Sequence, residues 1–215
     1  MISERPKVRA FDLDNTLLEG GGITGVVASV YRRISLQHLP NLTAGEIAKL
    51  DLHHGRIDDG RVEGWERIAF EIHARRRVFP GVRDALEIIA AQGAHIYGNT
   101  GRPNKGKWVD MTYETLDRAG IGGLFMNVAF TPEGTRTAVS KAHRLLQLLE
   151  TYEEVEFDED DPRTVEFLAK LFPKVRINFI QHGTSGLLMS RQELEAFPNV
   201  RRVAVISKRR DFALS

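Results

Sequence analysis

The stretch Phe11-Asp12-Leu13-Asp14-Asn15-Thr16 places two carboxylates two residues apart at the end of a short apolar run. In an extended segment, side chains two residues apart project to the same side, so Asp12 and Asp14 read as a pair. Two neighbouring carboxylates resist double ionisation, which pushes one pKa up. Such a pair suits nucleophilic attack by one member and proton transfer by the other, or the binding of a hard cation. Further along, Asn99-Thr100-Gly101-Arg102 offers a hydroxyl, an unobstructed backbone N–H and a guanidinium. Lys141 adds a cation, and Asp158-Glu159-Asp160-Asp161 is a run of four acids. A lone Asp-x-Asp is ordinarily a turn or a helix cap, so the weight rests on four groups occurring together and in order.

Alternating elements must position these groups. Lys7–Leu13, following Pro6, reads as a first strand. From 78 onward strand and helix patterns alternate: a helix from Val82 closed by Gly93, a strand over Ala94–Asn99, a helix over Lys107–Ala119, and a strand over Leu124–Phe130. A helix over Ser140–Leu149, a strand over Glu154–Phe157, a helix over Arg163–Phe172, and strands over Val175–Ile180 and Val203–Ile206 complete the pattern. Such alternation predicts a three-layer α/β core with a mainly parallel sheet. Ligands in these folds sit beyond the carboxyl ends of the strands, where Asp12, Asp14, Thr100 and the acidic run fall. Residues 21–77 have a different texture. Helical spacing predicts helices over Ile23–Leu39, after Thr43 with Glu46 completing a capping box, and over Arg61–Arg76 with a Trp65, Ile68, Ala69, Ile72 stripe as its core face. The expected division is 1–20 and 78–215 as the core and 21–77 as an inserted helical cap.

The order of these groups resembles the haloacid dehalogenase-like superfamily of phosphohydrolases. Phe11-Asp12-Leu13-Asp14-Asn15-Thr16 matches its first motif, Gly98-Asn99-Thr100-Gly101-Arg102 its second, Lys141 its third, and Phe157-Asp158-Glu159-Asp160-Asp161-Pro162 its acidic fourth. The resemblance covers about residues 7–181. It implies a Rossmann-like core, with Asp12 as nucleophile toward phosphorus and Asp14 as proton carrier. Thr100, the Gly101 N–H and Lys141 would bind the phosphate. Mg2+ would be held by Asp12, the backbone carbonyl of Asp14, and Asp160, with Asp158 as the competing ligand and Glu159 backing the site. Arg102 reads equally as a surface salt bridge or a substrate-phosphate ligand. Asp161, before Pro162, reads as a helix cap. His53-His54 lacks a third ligand at useful spacing and reads as a surface pair.

By the same resemblance the partner is a small phosphorylated molecule, handled by a Mg-dependent phosphatase that forms an aspartyl-phosphate. A phosphatase acting on nucleotide or nucleic-acid ends is the runner-up, because the Thr100-Gly101-Arg102-Pro103 segment resembles relatives proposed for RNA repair. Arg75-Arg76-Arg77 and Arg201-Arg202 would then meet the phosphate backbone. A non-catalytic phosphate-binding relative is disfavoured by the intact Asp12–Asp14 pair, and so is a dehalogenase. The net charge of +1 across 215 residues gives no case for nucleic-acid or membrane binding from bulk electrostatics. With no cysteine, thiolate metal sites and cysteine nucleophiles are excluded. No apolar run approaches the roughly 20 residues of a membrane span, and a cytoplasmic protein is expected.

Overall fold

The computed structural model describes residues 6–19, 41–57, 64–182 and 196–205. The expected helix over Ile23–Leu39 lies outside them. Among the described residues, β1 (Lys7–Phe11), β2 (Ala94–Pro103), β3 (Phe125–Thr131), β4 (Glu154–Glu159), β5 (Arg176–His182) and β6 (Val200–Val205) form one sheet in the order β3-β2-β1-β4-β5-β6. Every pairing is parallel. The strand order reverses at β1, which lies between β2 and β4. That makes its carboxyl end the crevice where such folds bind ligands.

Helices cover both faces. On one, α3 (Val82–Ala91) and α4 (Gly106–Arg118) bury Leu86, Ile89, Val109 and Leu116 with Phe11, Ile96 and Val128 of the sheet. On the other, α5 (Thr137–Thr151) and α6 (Pro162–Leu171) bury Leu145, Leu148, Val165 and Leu168 against Val8, Phe157 and Ile177. The expected α/β layering is therefore present. Local signals set the helix ends: Asp161 caps α6 by accepting from the Thr164 N–H at 3.1 Å, with Pro162 in its first turn. Gly93, at φ 82, terminates α3 in a conformation that suits glycine. No described helix is long and apolar enough to cross a membrane.

Three strands, β2, β4 and β5, end two or more residues later than the sequence pattern predicts. β2 continues through Pro103, with a register irregularity against β3 between Asn99 and Pro103, so Thr100, Gly101 and Arg102 lie within it. β4 continues through Glu159. The β2 and β4 extensions carry polar residues, which pattern reading assigns to loops; in β4 Asp158 and Glu159 pair with Asn178 and Phe179.

Between β1 and α3 the described chain holds two helices, α1 (Ala44–Ala48) and α2 (Gly64–Ala74). The Thr43–Glu46 capping box forms as its spacing predicts, with the Thr43 N–H donating to Glu46 Oε2 at 2.8 Å and the Glu46 N–H to Thr43 Oγ1 at 3.2 Å. Ile47 of α1 is fully buried within the α5–α6 core. The chain after α1 runs along β3. Phe130 N–H donates to the His54 carbonyl at 3.0 Å, Ile57 N–H to Asn104, and Gly106 N–H to Ile57, each at 2.8 Å. The first of these bonds satisfies one backbone group on the β3 edge, and the other two tie the segment to the chain that follows β2.

Of the His53-His54 pair that the sequence context placed at the surface, His53 is exposed and His54 is half-buried. Its Nδ1 lies 3.1 Å from the Phe130 carbonyl and its Nε2 lies 2.9 Å from His143 Nδ1. A carbonyl can only accept, so His54 Nδ1–H donates to it, and Nε2 of the neutral ring accepts from His143. Of the stripe expected on the third cap helix, Trp65 lies outside the described side chains, Ala69 and Ile72 are half-buried, and Ile68 departs from it. Ile68 is 50% exposed, and α2 instead docks through Glu66, Phe70 and His73. Glu66 accepts from Trp108 Nε1 at 3.0 Å, and the Phe70 and His73 rings each stand edge-on to Trp108 at 5.4 Å. Positions i, i+4 and i+7 form this face.

The chain leaving and returning to the core around this segment pairs antiparallel, Leu18 with Val78. The Glu19 N–H donates to Arg77 O at 2.7 Å and the Phe79 N–H to Leu17 O at 2.9 Å.

Replacing Ile47 by Ala should lower stability by about 2–4 kcal/mol through the cavity it leaves. A fall in the urea midpoint with unchanged slope checks this, and an unchanged midpoint would deny the docking of α1. Burial, with His143, Arg144 and His53 nearby, pulls the His54 pKa down to about 4. An unfolded chain protonates His54 near pH 6.5, so this contribution is complete above that pH and is lost as pH falls toward 4. His54→Asn should therefore flatten the decline in melting temperature between pH 7 and pH 4.5; an identical slope in both proteins would contradict it.

Candidate active site

Asp12 immediately follows β1, and its backbone N–H donates to the Asp158 carbonyl at 2.8 Å, extending the β1–β4 ladder. Its side chain is 3% exposed at the residue level. Lys141 Nζ donates to Asp12 Oδ1 at 2.7 Å and to Glu159 Oε2 at 2.6 Å. Lys141 stands on the buried stripe of α5 with Ala138, Ala142, Leu145 and Leu148, at spacings of three and four. A lysine inside an apolar stripe must meet a buried anion, and here it meets two. Burial alone would lower its pKa, but Asp12 and Glu159 outweigh burial and raise it, so the ammonium stays charged.

Asp12 Oδ2 is buried and has no hydrogen-bond partner among the described residues. Burial pushes Asp12 up to about 6 against the pull of Lys141, with Asp160 and Asp14 adding to the rise. Burial likewise lifts Glu159, to about 8, with Lys141 opposing and Asp12 and Asp160 assisting. Asp12, Glu159 and Asp160 each offer an oxygen within 4.8 Å of the others. A cluster of buried carboxylate oxygens of this kind fits a hard divalent cation.

The four acids of the β4 end divide by direction. Asp158 points away, into a bidentate pair with Arg9 (2.7 and 2.8 Å) and a contact with Asn178 Nδ2 at 3.3 Å. Glu159 Oε1 accepts from the Asp160 and Asp161 N–H groups at 3.1 and 3.0 Å. Asp161 caps α6. The alternation of side chains along a strand separates Asp158 from Glu159.

Asp14 has a separate set of partners. Arg102 grips it as a fork, with Nε on Oδ2 at 2.9 Å and NH2 on Oδ1 at 2.7 Å, while NH1 donates to Thr112 Oγ1 at 3.0 Å. His73 Nδ1 lies 3.2 Å and Arg76 NH1 3.1 Å from Oδ1. Burial would raise Asp14; Arg102 first, then His73 and Arg76, outweigh it and hold the carboxyl well below the usual carboxylate range. Arg102 is 2% exposed, so of its two sequence readings the surface salt bridge is replaced by a buried one. Removing one partner of a buried pair costs about 3–5 kcal/mol, because a charge is left uncompensated.

Thr100, on β2 beside β1, is fully buried. Its Oγ1 accepts from the Arg102 N–H at 3.2 Å, and Thr131 Oγ1 donates to its carbonyl at 3.0 Å. A side chain at Gly101 would put its Cβ 2.9 Å from Thr137 Cγ2, so glycine keeps the backbone open at this strand end. Asn99 Nδ2 donates to the Lys141 carbonyl at 3.2 Å and ties β2 to α5. His73 is not singled out by the sequence, and Arg76 enters there only within Arg75-Arg76-Arg77 as a candidate phosphate-backbone contact, yet it is 8% exposed and reaches Asp14. Their spacing of three, on one helical side, was the available signal. At the other end of the sheet a groove of about 500 Å³ is lined by Glu154, Lys174, Arg176 and Arg201, among others; it holds none of these groups.

No family model and no curated protein matches the chain. Solved structures do. A haloacid dehalogenase-like family hydrolase from Streptococcus pneumoniae aligns over 93% of this chain and 94% of its own, with TM-score 0.54 and 14% identity. A protein from Bacteroides fragilis assigned as a haloacid dehalogenase-like hydrolase aligns over 93% and 97%, with TM-score 0.55 and 17% identity. One from Thermotoga maritima assigned as a beta-phosphoglucomutase aligns over 92% and 94%, with TM-score 0.55 and 18% identity. Likeness at these identities speaks for architecture alone, and together with the strand order it identifies the chain as having the haloacid dehalogenase-like fold.

Proposed function

We propose that the chain is a Mg2+-dependent phosphohydrolase that cleaves small phosphate monoesters through an aspartyl-phosphate on Asp12. The observation that carries this reading is the state of Asp12: one oxygen is held by Lys141, and the other is buried and without a partner among the described residues, at the carboxyl end of the central strand. An anchored carboxylate with one available oxygen suits in-line attack on phosphorus. A protein of the same fold assigned as a phosphomutase supports phosphoryl chemistry on this frame.

In the first half-reaction Asp12 forms an oxygen–phosphorus bond as the ester oxygen leaves with its electron pair. In the second, water attacks the same phosphorus, Asp14 takes its proton, and the Asp12 carboxylate is regenerated. Lys141, the Thr100 hydroxyl and the Gly101 N–H donate to the non-bridging oxygens. Asp12, Asp160 and the backbone carbonyl of Asp14 would hold Mg2+, which would neutralise charge on the transferring group. Asp160 ranks ahead of its neighbours because Asp158 is committed to Arg9, Asp161 to the α6 cap, and Glu159 to Lys141 and two backbone N–H groups. Of the inserted residues, α2 and the Arg76 segment act as the cap, walling the Asp14 side of the site, while α1 packs on the α5–α6 core.

Asp14, held ionised by Arg102, is prepared for the second half-reaction. It has no proton ready for the leaving oxygen in the first. Aryl phosphates should therefore turn over faster than alkyl phosphates, and equal rates in the pre-steady-state phase would contradict this. Arg76 points into the site, not along a nucleic-acid backbone, which favours a small substrate over an oligonucleotide end. Comparing a nucleoside monophosphate with a 3′-phosphorylated oligonucleotide tests that choice, with faster turnover of the oligonucleotide reversing it. Asp12→Asn should lower kcat on p-nitrophenyl phosphate by about three orders of magnitude or more with an unchanged circular dichroism spectrum. EDTA should silence the enzyme and Mg2+ restore it. Undiminished activity in chelator would remove the metal from the mechanism and return the fold's metal-free dehalogenase chemistry to consideration.

A further inference from the structure

We propose that Arg76 is a positioning residue for the reaction, acting through Asp14 to couple the inserted segment to the catalytic centre. This rests on the phosphohydrolase reading given above.

Asp14 is clamped from two sides by different parts of the chain. From the core, Arg102 holds both oxygens and is itself braced by Thr112, whose hydroxyl donates to the Trp108 carbonyl at 2.6 Å. From the inserted segment, His73 and Arg76 both reach Oδ1. Arg76 NH1 also donates to Asn15 Oδ1 at 3.4 Å. Asn15 adopts φ 64, which among the described residues no other non-glycine residue matches in sign. Arg76 thus holds the acid and the left-handed turn that follows it. Positive φ is costly for most side chains and persists where surrounding contacts impose it.

The position of Arg76 is itself set by backbone geometry. It lies between the end of α2, where its N–H donates to the His73 carbonyl at 3.2 Å, and the antiparallel pairing of Arg77–Phe79 with Leu17–Glu19. Helix α2 is in turn seated on Trp108 of the core by Glu66, Phe70 and His73. Trp108 therefore links both halves of the clamp, through its ring to α2 and through its carbonyl to Thr112 and Arg102. Seating α2 on Trp108 brings His73, and the chain that leads into Arg76, against Asp14, so the outer half of the clamp depends on how the segment is seated.

A double-mutant cycle on the full chain tests this, using Mg2+, an activated aryl phosphate whose fast departure leaves kcat to the second half-reaction in which Asp14 acts, and enough enzyme to follow the slow Asp14→Asn background. Arg76→Ala should lower kcat about tenfold with KM changed less than about twofold, the pattern of a lost transition-state contribution. Arg76→Lys should recover part of the loss. In the Asp14→Asn background, Arg76→Ala should change kcat by less than about twofold, because its effect passes through the missing carboxylate. A rise in KM at constant kcat would overturn the proposal by making Arg76 a substrate ligand. A tenfold loss persisting in the Asp14→Asn background would overturn it by making Arg76 independent of Asp14. If Arg76→Ala fails to fold, the same cycle run with Arg76→Lys decides. Wild-type turnover in Asp12→Asn would instead overturn the underlying phosphohydrolase reading, and an inactive Asp12→Asn with an additive cycle would overturn this inference alone.

Discussion

Four carboxylates gathered at one buried end of a sheet repel one another, and the rest of the site exists to make that tolerable. Asp12, Asp14, Glu159 and Asp160 are each less than a tenth exposed. Burying unpaired charge costs far more than a domain's net stability, so such groups are paired, neutralised or bound to a cation. The structure divides the problem in two. Lys141 bridges Asp12 and Glu159, while Arg102, Arg76 and His73 converge on Asp14. The first division leaves an oxygen of Asp12 available for chemistry. The second holds Asp14 ionised.

The fold makes this crowding possible. β1 is the sheet's reversal point, so the ends of β2 and β4 flank Asp12 on either side. Backbone hydrogen bonding, including the Asp12 N–H to the Asp158 carbonyl, fixes the spacing before any side chain contributes. Helix α5 brings Lys141 in on its buried stripe. Two apolar cores, one on each sheet face, hold these elements rigid. Side-chain forks such as Arg102–Asp14 can then be built to tenths of an ångström on strands and helices rather than on loops.

The core was legible in the sequence because its signals are local. The capping box at Thr43, the Asp161-Pro162 helix start and the Gly93 stop each declare an element end through a few neighbouring residues. The Asp12–Asp14 pair was legible through its period of two. What could not be read were pairings between residues far apart in sequence. Arg9 and Asp158 are 149 positions apart, and their ion pair is what withdraws Asp158 from the site. Arg76 sits in a run of three arginines that resembles a solvated face, and only the folded neck beside Leu17–Glu19 turns it inward. His54 was read as exposed because nothing near it in sequence announces His143 or the β3 edge. The extensions of β2 and β4 were missed because polar residues in a buried, paired strand look like loop.

The central claim is that Asp12 becomes covalently phosphorylated. The direct measurement is a borohydride quench of the enzyme during turnover of a phosphate ester, followed by mass spectrometry of the peptide containing Asp12. An acyl phosphate is reduced where a free carboxylate is not. The account predicts that the Asp12 side chain is converted to the alcohol during turnover and stays intact without substrate. Turnover that leaves Asp12 unreduced while another carboxylate is converted would contradict it.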